Sequence, residues 1–239
     1  MNVRSMTKAV VLVAGLLLGS GARAAEIHGE TTRSMLFEFK LSPYTPLIDR
    51  DFARPGPYQA IMGGGPMLMG ELEFDYQFFQ RVGSAAVGFS GGYAEKFGQA
   101  VDAETLEPTS QSTGLKLVPL KALLVYRFDW LSLKQDIPIV PYAKLAFVMM
   151  PWWVLNGSEI EVSDGLRGAG ISYGIAGVFG LALTLDFLDP RLARDLDTSL
   201  GVNHSYLFAE FTIQEMGLFV PQSIDLSSRH WMFGLGFEF

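Results

Sequence analysis

His230-Trp-Met-Phe-Gly-Leu-Gly-Phe-Glu-Phe239 ends the sequence, and its two-residue period decides the fold. Trp231, Phe233, Leu235, Phe237 and Phe239 fall on one parity, and His230, Met232, Gly234, Gly236 and Glu238 on the other. Successive side chains of a strand point to opposite faces, so this segment has one large apolar face and one small or polar face. In a soluble sandwich the bulky face packs inward on a second sheet. Here the pattern suits a strand with lipid outside and a crowded barrel interior within.

The same period recurs upstream. Residues 35–41 place Met35, Phe37, Phe39 and Leu41 against Leu36, Glu38 and Lys40. Residues 67–78 place Leu68, Leu72, Phe74, Tyr76 and Phe78 against Met69, Glu71, Glu73, Asp75 and Gln77. Further alternating segments lie at 84–95, 116–130 (with Lys121, Arg127 and Asp129 on the polar parity), 140–151 (Lys144), 171–184 and 204–214 (Glu210). None has a helical period. Together with the C-terminal segment they predict an all-β, antiparallel up-and-down transmembrane β-barrel of eight strands. An even count brings both chain ends to one side, the periplasmic side of a bacterial outer-membrane barrel. The stretches at about 42–66, 96–114, 152–169 and 215–229 are then expected outside, which makes Lys96 an exposed loop residue. Asp189-Pro190 before Arg191-Leu-Ala-Arg-Asp-Leu196 reads as an N-cap and N1 proline opening a short periplasmic helix near 190–197.

The N-terminus reads as a signal peptide over residues 1–24. Arg4 and Lys8 precede the apolar run Ala9–Leu18, and Ala22 and Ala24 take the small-residue positions of a cleavage site. The barrel domain is expected over 25–239, without an internal boundary. Half of the chain, 49%, is hydrophobic, yet the mature part has no uninterrupted apolar stretch long enough for a membrane helix. A greasy chain without a spanning helix is resolved by a closed barrel. There is no cysteine, so disulfides and thiolate chemistry are excluded. With the leader removed, 15 basic side chains face 25 acidic ones, a charge of about −10 that excludes nucleic acid as a partner class.

The interior parity carries Glu38, Lys40, Glu71, Glu73, Asp75, Lys121, Arg127, Lys144, Glu210 and Glu238. An eight-stranded barrel is filled by side chains, and buried charges are tolerated when partnered, so these ten are expected to pair in an ion-pair network that plugs the lumen. The alternative is an acidic ring of Glu71, Glu73 and Asp75 selecting cations along a narrow pore. The histidines are His28, His204 and His230. His204-Ser205 with Glu210 invites a lipid-deacylating reading, but His204 and Ser205 have opposite parity, so a nucleophile and base there would not meet. Trp130, Trp152, Trp153 and Trp231 are expected at membrane interfaces. Gly63-Gly64-Gly65 lacks the Lys-Ser/Thr of a phosphate loop, and no metal-ligand spacing or cofactor motif occurs.

Several segments carry a resemblance. Phe37-Glu-Phe-Lys-Leu-Ser-Pro-Tyr-Thr-Pro-Leu-Ile-Asp49, Ile139-Val-Pro-Tyr-Ala-Lys-Leu145, Leu185-Asp-Phe-Leu-Asp-Pro190 and Gly201-Val-Asn-His-Ser-Tyr206 resemble a family of small outer-membrane β-barrel proteins of unknown function from myxobacteria and relatives. Its looser relatives are the eight-stranded OmpA, OmpX and OmpW types, with roles in anchoring, adhesion and passage of small hydrophobic compounds. The alternating aromatics ending at Phe239 resemble the assembly signal of such proteins, carried here by Trp231, Phe233, Leu235, Phe237 and Phe239. The resemblance implies an outer-membrane location, contact with lipid and lipopolysaccharide, and recognition by the barrel-assembly machinery. It implies no catalytic residue and no cofactor.

Overall fold

The computed structural model describes residues 34–52, 55–101, 108–135, 137–163, 165–188, 190–219 and 224–239. The expected leader and the expected cap Asp189 lie outside them. The strands are β1 (Met35–Tyr44), β2 (Met67–Arg81), β3 (Gly83–Val101), β4 (Pro108–Leu117), β5 (Leu120–Arg127), β6 (Ile139–Asn156), the two-residue β7 (Glu159–Ile160), β8 (Val162–Ser163) and β9 (Leu166–Arg167), then β10 (Ala169–Thr184), β11 (His204–Met216) and β12 (Ser228–Glu238). Each long strand pairs antiparallel with its neighbours, and β12 returns to β1 with Phe37 opposite Phe237 and Phe39 opposite Leu235. The sheet is therefore a closed ring without a free edge.

β4 and β5 form one stave in two pieces, since both lie between β3 and β6. Pro119 has no N–H for the ladder, and the break falls at Val118-Pro119. The flanking strands bridge it: Gly92 N donates to Pro119 O at 2.9 Å, and Val118 N to Pro151 O at 3.0 Å. Counting this stave once gives eight.

Burial follows the sequence parity. Along β1 exposed and buried residues alternate without a break, and β2 does so from Glu71 to Phe78. The outward side chains, among them Phe37, Phe74, Phe89, Leu145, Phe179 and Phe233, form an apolar belt around the ring. Such a continuous exposed apolar surface is a liability in water and needs no compensation in a hydrocarbon slab.

Strand ends depart from the sequence reading. β3 runs to Val101 and β4 begins at Pro108, where a loop over 96–114 was expected, and β6 continues to Asn156. The ladder persists there, with Glu95 opposite Lys116 and Gln99 opposite Ser112. Beyond the apolar belt the outward residues turn polar, so the strand goes on after its hydrophobic alternation has stopped. Two helices sit at the end where β1 begins and β12 ends: α2 (Trp130–Gln135), in the β5–β6 connection, and α3 (Pro190–Leu200), three residues longer than expected. At the opposite end α1 (Pro57–Met62) closes the β1–β2 connection.

Candidate functional site

The middle of the lumen is a charged layer. Lys40 Nζ lies 2.6 Å from Glu73 Oε2, 2.9 Å from Glu210 Oε1 and 3.2 Å from Glu38 Oε2. Lys144 Nζ lies 2.6 Å from Glu38 Oε2 and 3.5 Å from Glu210 Oε2, and also donates to Glu73. Arg127 Nη1 reaches Glu38 Oε1 at 3.2 Å, and Lys121 holds both oxygens of Glu71 at 2.6 and 2.8 Å. Every member is at most 4% exposed. Strands β1, β2, β5, β6 and β11 supply these side chains, and the β1–β2 register sets Glu38 opposite Glu73 and Lys40 opposite Glu71.

Of the ten interior residues read from the sequence, the structure joins nine to partners. Glu238, nearer the terminal end, accepts from Gln77 Nε2 at 2.7 Å and Tyr206 OH at 2.5 Å. Asp75 is the exception: it is buried, and neither carboxylate oxygen has a hydrogen-bond partner among the described residues.

Sequence reasoning did not assign the phenols that complete the layer. Tyr142 OH donates to Glu210 Oε2 at 3.1 Å, and the Arg127 guanidinium sits 5.2 Å from the Tyr142 ring and 4.8 Å from that of Tyr206. Their inward parity was the available signal. Cation–π contacts of this kind gain strength when desolvated. Inward glycines make the room. At Gly180 the place a Cβ would take is filled by the Tyr142 ring, and at Gly88 by the Asp75 carboxylate.

Apolar layers enclose the charges. Toward the terminal end lie Leu36, Val140, Ala182 and Phe208. Toward the loop end lies a larger cluster that includes Tyr44, Met67, Met69, Leu117, Met150 and Met216. The sequence reading singled out only the charged residues of the interior parity, so this methionine-rich half is an addition. It continues into a cavity of about 500 Å³ at the mouth, lined chiefly by Ile48, Phe52, Ile61, Met62, Leu115 and Ile224.

The β1–β2 connection forms the cavity's rim. Asp49 accepts from the backbone N–H groups of Tyr58 (2.7 Å) and Gln59 (2.8 Å), and Tyr58 OH donates to Gly65 O at 2.8 Å. Burial, and after it the Asp49 carboxylate, push the Tyr58 phenol up to about 12, so it stays a donor across the neutral range. Lys96, expected to be an exposed loop residue, is half-buried in β3: its Nζ donates to Gly65 O and lies 5.2 Å from the Tyr58 ring. The strand extension carries it under the connection.

Trp152 also departs from expectation. It shares the inward parity of Met150, packs against the apolar cluster, and its indole Nε1 is buried without a described partner. Its neighbour Trp153 takes the outward parity. Trp231 is exposed on the belt between Phe211 at 5.2 Å and Phe233 at 6.4 Å, and Trp130 stacks on Phe128 at 6.4 Å. His204 Nδ1 lies 2.5 Å from Asp186 Oδ2, and Ser205 contributes its backbone N–H to Asp186 Oδ1 at 3.3 Å. Ser205 enters that arrangement through its backbone N–H.

No known family profile matches the sequence, and no curated protein is similar to it, so the resemblance to a myxobacterial family rests on the quoted segments alone. Solved structures are similar in fold. The outer membrane protein OprG from Pseudomonas aeruginosa aligns with TM-score 0.50 at 15% identity, covering 90% of this chain and 99% of that one. Neisserial surface protein A (TM-score 0.44, 13% identity, 87% and 96% covered) and Ail, the attachment invasion locus protein of Yersinia pestis (0.42, 14%, 88% and 100%), also align. The fold is that of small outer-membrane β-barrels.

Proposed function

We propose that the chain is an outer-membrane barrel with a blocked lumen, acting as a structural or surface-interaction protein through its loop end and not as a pore or an enzyme. The observation that carries this reading is the layer of Glu38, Lys40, Glu73, Lys144 and Glu210, buried and mutually paired across the middle of the ring. A hydrated passage for ions would need these side chains to face water. In this reading residues 1–24 are a cleaved leader, the apolar belt contacts lipid and lipopolysaccharide, and the aromatic series ending at Phe239 is presented to the barrel-assembly machinery. The finer kinship with barrels from myxobacteria belongs to the same reading.

A second reading, uptake of a small hydrophobic compound at the mouth, is favoured by the apolar cavity of about 500 Å³, a size suited to such ligands. The charged floor makes it a site of capture before it is a route of passage.

The test uses the turn at Gly157, whose φ of 62° and open surroundings place it on the surface of the β6–β7 connection. An epitope inserted after Gly157 is expected to label on intact cells. The protein is expected in the outer-membrane fraction, migrating differently when boiled, because a closed ring offers detergent no edge at which to begin unfolding. Recovery in the soluble periplasm, or an epitope reached only after lysis, would overturn the reading.

A further inference from the structure

We propose that the cavity at the barrel mouth takes a small organic amine, its apolar body seated in the cavity and its protonated nitrogen held at the rim by Asp51. This rests on the reading of the mouth as a place of capture, and names the class of compound captured.

The lining divides in two. Met62 and Leu115 belong to the buried apolar cluster, and Ile61 packs on it. They give an apolar floor, and methionine adapts readily to flat rings. The volume of about 500 Å³ lies within the usual range of small-ligand pockets, about 300–1,000 Å³. Asp51 and Asp225 line the same cavity, from the β1–β2 and β11–β12 connections respectively. Among the described residues no lysine, arginine or histidine lines it.

The two carboxylates differ. Asp225 is held by Arg50 Nε at 3.3 Å and by the Ser227 N–H at 3.0 Å. Asp51 has no base among the described ion pairs, and it is exposed at the rim. The two bases beside the β1–β2 connection are engaged elsewhere: Arg50 also reaches Glu215 at 3.6 Å, and Lys96 donates to Gly65 O. Around the mouth four carboxylates (Asp49, Asp51, Glu215, Asp225) therefore stand against two bases (Arg50, Lys96), a surplus of two negative charges. That field repels a carboxylate or phosphate head and attracts an ammonium. The apolar floor at the same time excludes a bare hydrated cation, which has no body to bury. An amine with an apolar body satisfies both halves of the lining, lying with its charge outward.

The experiment titrates the full refolded barrel in non-ionic detergent by calorimetry, at neutral pH and low salt, with empty micelles as the blank. Three water-soluble probes share one apolar body: phenylbutylamine, phenylbutanol and phenylbutyrate. Wild type is expected to bind the amine about fivefold more tightly than the alcohol, the gain of one exposed ion pair, and the butyrate most weakly. Added salt is expected to shrink that preference. Asp51→Asn, a change at an exposed position, is expected to bind amine and alcohol within about twofold of each other. Ile61→Trp, which fills the cavity, is expected to lose all three; should it not give a folded band, wild type and Asp51→Asn decide alone. Alcohol or butyrate bound as tightly as the amine would overturn the amine class and leave capture of apolar compounds standing. No probe bound by wild type would overturn both. An amine preference kept in Asp51→Asn, or unchanged binding by folded Ile61→Trp, would overturn the proposal by placing the site elsewhere.

Discussion

Lys144→Met is expected to lower the urea midpoint of the refolded barrel by about 1–5 M. Lys144 is fully buried and bridges Glu38, Glu73 and Glu210. Methionine fills similar space without the charge, so the loss is electrostatic and leaves carboxylates uncompensated between two apolar layers. Removing one partner of a buried pair costs about 3–5 kcal/mol, and a denaturant slope of about 1–3 kcal/mol per molar converts that to the stated shift. Lys116→Met is the control. Its nearest acid, Glu95, is 3.8 Å away with both side chains more than a third exposed, and exposed pairs of that kind are worth about 0–1 kcal/mol. Equal midpoints for the two variants would mean that the lumen around Lys144 is hydrated.

Gly234→Val is expected to prevent the ring from closing. Gly234 faces inward on β12, opposite Lys40 in the pairing with β1. A Cβ there would overlap the Phe39 carbonyl oxygen and press on the Phe208 ring. The ring can turn aside, but the carbonyl belongs to the strand pair that closes the barrel and cannot move without opening the seam. Overpacking ordinarily costs about 1–3 kcal/mol, and a backbone obstacle exceeds that range. The expected readout is loss of the heat-modifiable folded band. Gly177→Val on the outward face of β10, where a Cβ would meet nothing within 4 Å, is expected to fold normally. A folded Gly234→Val barrel would show that the β1–β12 seam is looser than its pairing indicates.

Period-two alternation made the in–out assignment of each strand legible, because lipid and lumen demand opposite chemistry at successive positions. Glu38, Lys121 and Lys144 could be placed inside from parity alone. Their partners could not: Arg127 meets Glu38, 89 residues away, through the stagger of the whole ring, which no local pattern encodes. Strand ends were illegible for another reason. Beyond the belt, hydrogen bonding continues at Gln99 and Ser112 while hydrophobic contrast has gone, and this also misplaced Lys96. Trp152 was read from its residue type, interfacial by habit, although its parity with Met150 pointed inward. Parity placed Met69 inward, but that Met67, Met69 and Met150 gather in one apolar layer was not legible, because they meet across the ring through its stagger.

The claim of a blocked lumen is tested most directly by the conductance of the purified, refolded protein in a planar lipid bilayer. The paired layer of Lys40, Lys144, Glu38, Glu73 and Glu210 predicts insertion without discrete current steps at neutral pH and molar salt. A reproducible ohmic step from the wild-type chain, selective for cations and abolished by neutralising Glu71 or Glu73, would contradict it and make the acidic face of β2 the lining of a pore.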